Sequence, residues 1–177
     1  MISDEFLLLQ KVLSTTMSKL VYKIYIAGTF TNEQSRKSLE HMIEIVKKKF
    51  AYPISQGDVE LFIPMEHKIE EDFQKPDGTW NLSNPEWARK VYNMDIEAID
   101  EAALIIAMYT GHYGTTGTAF ELGYARAKNK QVVLYIPEWA KENNVSLMIF
   151  NSADMYMSEN GVIRKITDKY LEQFNQK

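Results

Sequence analysis

The 177-residue sequence contains no cysteine. That single absence removes disulfides, thiolate nucleophiles, zinc ribbons and iron–sulfur ligation together. Only three histidines are present, His41, His67 and His112, and none stands at a spacing such as His-x-x-x-His, so no metal centre is expected. The basic surplus that duplex nucleic acid binding needs is also missing: 20 Lys and Arg stand against 24 Asp and Glu, a net charge of −4. No apolar run approaches the roughly 20 residues of a membrane span. The best apolar run near the start, Phe6 to Leu9, follows Asp4 and Glu5, whereas a signal peptide wants positive charge and a longer apolar core. The expectation is a cytoplasmic protein that binds neither a membrane nor a nucleic acid polymer. Any catalysis would have to rest on oxygen atoms: carboxylates, hydroxyls and phenols.

What is present reads as one globular domain. Apolar residues make up 45% and charged ones 25%, the ordinary range for a chain that buries a core. Phe6, Leu9, Leu13, Met17 and Leu20 repeat at helical spacing and predict an N-terminal helical extension over 1–21, ahead of a main domain at 22–177. Met17 also reads as an alternative start. Strands are predicted at Lys23–Ala27, Val59–Ile63, Leu104–Met108, Val132–Ile136 and Met155–Met157. Between them lie helices. The first begins at Thr31, with Gln34 in capping-box relation and Leu39, Met42, Ile43, Val46 and Phe50 as its stripe. The next opens on Pro85 and places Trp87, Val91, Asp95 and Ile99 on one face. A third runs from Ala119 to Lys128 after a glycine- and threonine-rich turn, Gly111 to Thr118, and a last one spans Thr167 to Phe174. Residues 65–82 form a long polar loop, and 138–152 a loop or short helix.

Alternating strands and helices predict an α/β fold, a single doubly wound parallel sheet of five strands with helices on both faces. Ligands bind such sheets at the carboxyl ends of the strands. The working rim is then Gly28–Phe30, Pro64–His67, Tyr109–Gly117 and the segment from Glu138 onward. Glu121 reads as a first-turn residue of the helix after the glycine turn, where the macrodipole favours its ionised form. It is either a capping carboxylate or a nucleophile. Asp95 shares an otherwise apolar helix face, so it is either satisfied by a backbone donor or kept protonated by burial, as a general acid requires. Two carboxyls in different environments suit glycosidic bond cleavage. Tyr25 is either a core tyrosine or a phenol donating to Glu121. Trp80, Tyr92 and His67 are candidates to contact a base; Trp87 is assigned mainly to core and His112 to an exposed loop.

Three ordered motifs carry a more specific signal: Tyr25-Ile-Ala-Gly-Thr-Phe-Thr-Asn-Glu-Gln, Tyr92-Asn-Met-Asp95, and Gly117-Thr-Ala-Phe-Glu121-Leu-Gly-Tyr-Ala. Together, over about residues 22–157, they resemble the nucleoside 2-deoxyribosyltransferases. The resemblance implies a flavodoxin-like domain assembling into dimers or larger homo-oligomers with shared sites, and no metal or organic cofactor. It implies Glu121 as the nucleophile that forms a 2-deoxyribosyl-enzyme, Asp95 as the group that protonates the leaving base, and Tyr25 as the residue that orients Glu121. Its substrate site would draw on Gly28, Thr29, Phe30, Gly114, Thr115, Gly117, Thr118, Ser146 and Met148, and its partners would be a nucleoside or nucleotide and a free nucleobase.

The sequence departs from that family at telling positions. Thr115 stands where the transferases usually carry an Asp that holds the sugar 5′-hydroxyl, and Ser146 where a neighbouring subunit normally contributes an Asn. Related 2′-deoxynucleoside 5′-phosphate N-hydrolases bind phosphate with serines at such places, so Thr29, Thr115 and Ser146 open a second reading as a monophosphate N-hydrolase. The Gly-Thr-x-x-Glu pattern also resembles the phosphoribohydrolases of cytokinin nucleotides, whose preceding Pro-Gly-Gly is missing here. A nucleotide-binding module without turnover is the remaining option.

Overall fold

The computed structural model describes residues 21–67, 85–111, 115–141 and 146–166. The predicted helices over 3–20 and 167–174 lie outside the described residues, as do Trp80, His112, Gly114 and most of the loop 65–82. Strand β1 (Tyr22–Ala27) runs between β2 (Val59–Phe62) and β3 (Leu104–Met108), followed by β4 (Gln131–Tyr135), β5 (Met155–Met157) and β6 (Ile163–Lys165). The sheet order is β2-β1-β3-β4-β5-β6. The first five strands are parallel, and β6 returns antiparallel to β5. The five-strand expectation is therefore corrected to six. The extra strand is three residues long with two charges, too short for a periodic signal, and forms through the turn in which Ser158 N bonds the Val162 carbonyl oxygen at 3.0 Å.

Each connecting helix shows its cause in the sequence. Helix α1 (Glu33–Lys49) begins after Asn32, whose side chain accepts from the Ser35 N–H at 2.8 Å. This replaces the predicted Thr31 cap: the Thr31 hydroxyl is instead 3.2 Å from that of Thr29, and Asn is the stronger cap. Its stripe of Leu39, Met42, Ile43 and Val46 is buried as expected. A short helix, α2 (Ala51–Ser55), leads into β2. Helix α3 (Pro85–Glu101) opens on its proline, which has no N–H to leave unsatisfied.

Helix α4 (Thr116–Ala127) starts three residues before the predicted Ala119. Gly117 belongs to its first turn rather than to the preceding loop, because an exposed glycine near a helix end costs little. Helix α5 (Leu147–Ser152) is capped by Ser146.

Period-two alternation along the strands divides the core into two layers. One layer, under α1, holds Ile24, Ile26, Ile106, Met108 and Val133. The other, under α3, α4 and α5, holds Tyr25, Ala27, Ile105, Ala107 and Leu134. Adjacent β1 and β3 have their onward neighbours on opposite sides, so the switch in strand order lies between them. Their carboxyl ends open a crevice there.

Candidate active site

Tyr25 is fully buried in the middle of β1, facing α3 and α4. The parallel register sets it against Phe62 of β2, and the two rings stack with centroids 5.6 Å apart and 10° between planes. Its phenol donates to Glu121 Oε1 at 2.9 Å. Burial first, then the neighbouring charges of Glu121 and Asp95, drive the phenol's pKa far upward. Tyr25 is thus a fixed donor at any physiological pH.

Glu121 is the sixth residue of α4, not a first-turn residue. The macrodipole effect fades within the first turn, so the expectation that it holds Glu121 ionised is overturned. Burial dominates instead and pushes the carboxyl up to about 7; the Tyr25 hydrogen bond opposes this, and the charge of Asp95 adds to it. Asp95, from α3, is raised by burial to about 6, with the charge of His67 acting in the opposite direction. Its Oδ1 is buried and has no hydrogen-bond partner among the described residues. The backbone-donor alternative therefore fails for this oxygen. The structure brings Tyr25, Asp95 and Glu121 together as one electrostatically coupled group.

His67 joins this group from the far side of Phe62. Its ring stacks on Phe62 at 4.1 Å and 22°, and Nδ1 donates to the Ile63 carbonyl oxygen at 2.9 Å. A column Tyr25–Phe62–His67 results. Beside it, a cavity of about 280 Å³ is lined in part by Phe62, His67, Met94 and Ala98. The sequence pattern marks Phe62 only as strand and His67 only as a base-contact candidate; their alignment depends on a register between β1 and β2 that no local pattern reveals.

The rim residues are partly committed elsewhere. Thr29, Thr115 and Thr118 are buried. The Thr115 hydroxyl donates to the Gly111 carbonyl oxygen at 2.7 Å, so it retains only lone pairs for a ligand. Gly28 has a packing reason: a Cβ there would lie 2.7 Å from Leu39 Cδ1 and 3.3 Å from Met108 Cβ. Phe30 is partly buried against the α1-side core. Ser146 accepts from the Met148 N–H at 3.2 Å, while Leu147 and Met148 are 71% and 82% exposed. Tyr92 is exposed, 6.1 Å from Phe120, and Trp87 is buried as assigned. Among the described residues no three His, Cys, Asp or Glu side chains cluster to hold a metal ion, and no helix is long and apolar enough to cross a membrane.

A coupled carboxyl pair at the switch point of a doubly wound sheet is the frame of a small-molecule site. The chain belongs to the nucleoside 2-deoxyribosyltransferase family, whose sequence profile matches residues 24–164. It is 28% identical over 93 residues to a nucleoside deoxyribosyltransferase of Lactobacillus johnsonii, a match spanning 52% of this chain and 62% of that protein. A second such enzyme, of Lactobacillus leichmannii, is 24% identical over 128 residues, 72% of this chain and 78% of that protein. Among solved structures, a 2-deoxyribosyltransferase of Bacillus psychrosaccharolyticus superposes with a TM-score of 0.57 at 27% identity, covering 76% of this chain and 85% of that one.

Proposed function

We propose that this protein transfers 2-deoxyribose between nucleobases by double displacement at Glu121. The observation that carries the reading is the Tyr25 phenol donating to Glu121 beside an Asp95 oxygen that has no hydrogen-bond partner among the described residues. A donor aimed at one carboxyl favours its charge, and a buried carboxyl without one favours its proton. Glu121 is then the nucleophile and Asp95 the acid; because burial raises Glu121 further, to about 7 against about 6 for Asp95, this reactive form is the minor singly protonated state of a pair that titrates as a unit. The Glu121 carboxylate attacks C1′ of the sugar. The C1′–N bond breaks, its electron pair leaves with the base, and Asp95 supplies the base with a proton. An incoming base returns a proton to Asp95 as its nitrogen attacks C1′ and releases Glu121. Two inversions give net retention, and one difficult substitution becomes two easier ones.

The hydroxyl at Thr115 bears on the alternative monophosphate N-hydrolase. A phosphate needs donors, and this hydroxyl already gives its proton to Gly111. It suits a sugar hydroxyl, which can donate to it, and so favours nucleosides over 5′-monophosphates. The exposed Leu147 and Met148 next to Ser146 support a homo-oligomer in which this segment reaches a neighbour's site. The test is to supply deoxyinosine with cytosine, and separately a panel of deoxynucleoside monophosphates without acceptor. Deoxycytidine formation is expected. Base release from monophosphates alone would replace the transferase reading with the hydrolase, and tight binding without turnover on any substrate would replace both.

A further inference from the structure

An apolar groove lies away from the carboxyl pair. It measures about 610 Å³ and runs along the β2 edge of the sheet, lined by Val21, Ala51, Ile54, Val59, Leu61 and Ile63. Strand β2 is the terminal strand of the sheet here. An edge strand with an apolar flank is a pairing hazard, which proteins manage by covering it with a helix or loop. Among the described residues, the charged side chains that line it are Lys47, Glu60 and Glu66.

We infer that residues 3–20 of the same chain cover this groove as an amphipathic helix. The chain enters β1 through Val21, which itself lines the groove, and the Tyr22 N–H bonds the Asp58 carbonyl oxygen just before β2. Twenty residues precede that point. An 18-residue helix is about 27 Å long, while five strand residues such as 59–63 extend only about 16 Å. The segment therefore has the reach to double back along the whole edge. Phe6, Leu9, Leu13, Met17 and Leu20 form one stripe, and Lys11 falls on the opposite side of the helix. An apolar stripe and an apolar groove thus meet at one residue of continuous chain.

The absence of cysteine makes a clean test. In the full chain, Ile54→Cys is combined in turn with Leu9→Cys, Leu13→Cys and Met17→Cys, with Lys11→Cys as the polar-face control, and each is oxidised at low protein concentration. An intrachain disulfide in at least one apolar-face pair, and none in the control, is the expected result. Disulfides joining two chains would assign the groove to a second copy, and no closure in any of the three pairs would leave the segment elsewhere; either overturns the inference. A measurement without new thiols guards against misfolded variants. A chain begun at Met17 should exchange its Val59–Ile63 amides at least about tenfold faster than the full chain, and unchanged protection there also overturns the inference.

Discussion

The two faces of this sheet are built from the same strands and do different work. On the α1 face, Ile24 and Ile26 of β1 meet Leu39, Met42 and Val46, with Ile106 and Met108 of β3 beside them. On the α3–α4 face, Tyr25 and Ala27 alternate with those isoleucines, and Ala107 replaces bulk in β3. Small alanines stand near the strand ends on this face, and the Tyr25 hydroxyl donates to Glu121. Against β1, one face is a packed apolar layer, while the other carries a phenol and two carboxyls at a cost in desolvation. The lesson is that a one-residue step along β1 separates stability from chemistry, so the two should be breakable separately.

The sharpest break is Glu121→Gln. This variant keeps the size of the side chain and an acceptor for Tyr25, but removes the nucleophile. Transfer activity should fall at least about a thousandfold. Stability should move the other way. Glu121's folded-state pKa is raised to about 7 by burial, so the folded chain binds its proton more tightly than the unfolded one. Wild-type stability then declines as pH rises between the ordinary carboxyl value and 7. The Gln variant escapes that decline. Thermal melts should show it more stable than wild type at pH 8, by on the order of 2 kcal/mol, and close to it at pH 4. Equal melting temperatures at pH 8 would mean that Glu121 is not held in a desolvated site.

The opposite face is probed by Ile106→Ala. Ile106 is fully buried in the central strand, and deleting its methylenes should cost about 2–5 kcal/mol in denaturant unfolding. At temperatures where the variant stays folded, kcat/KM should remain within a few-fold of wild type. A loss of activity comparable to that of Glu121→Gln would erase the division between the faces.

How far this division could be read in advance differs from residue to residue. Alternation in β1 and the helical stripes of α1 and α3 are local, so the strands, the buried stripe and the position of Asp95 on an apolar face were legible. Glu121 and Tyr25 stand out through their motifs, but the environment of Glu121 does not. Gly117 looked like loop, which shifted the helix start by a turn and brought in the macrodipole where desolvation governs. Phe62 and His67 depend on the pairing of Tyr25 with Phe62 across β1 and β2, a contact between residues 37 positions apart. The direction of the Thr115 hydrogen bond depends on where the Gly111 carbonyl points. Neither has a local pattern.

Tyr25→Phe tests whether the phenol tunes Glu121 or merely fills space. The ring and its stack on Phe62 remain, and only the donor at 2.9 Å is lost. That hydrogen bond lowers the Glu121 pKa, so its loss raises it. Glu121 carries the higher value of the pair, so the alkaline limb of the kcat/KM profile should move to higher pH while the reactive form becomes rarer, with an activity loss of about tenfold or more near neutrality. A purely structural tyrosine would leave the limb where it was.

The smallest effect belongs to the outermost ring of the column. His67→Phe preserves stacking on Phe62 but removes the charge that lowers the Asp95 pKa. Asp95 should then hold its proton to higher pH. Asp95 carries the lower value of the pair, so the acid limb of kcat/KM should shift upward by a few tenths of a unit. The limb would stay fixed if His67 served only as a lid on Phe62. A shift in the acid limb alone, with Tyr25→Phe moving the alkaline limb, would assign each carboxyl its own control within a single face of the sheet: Glu121 through the Tyr25 phenol and Asp95 through the His67 charge.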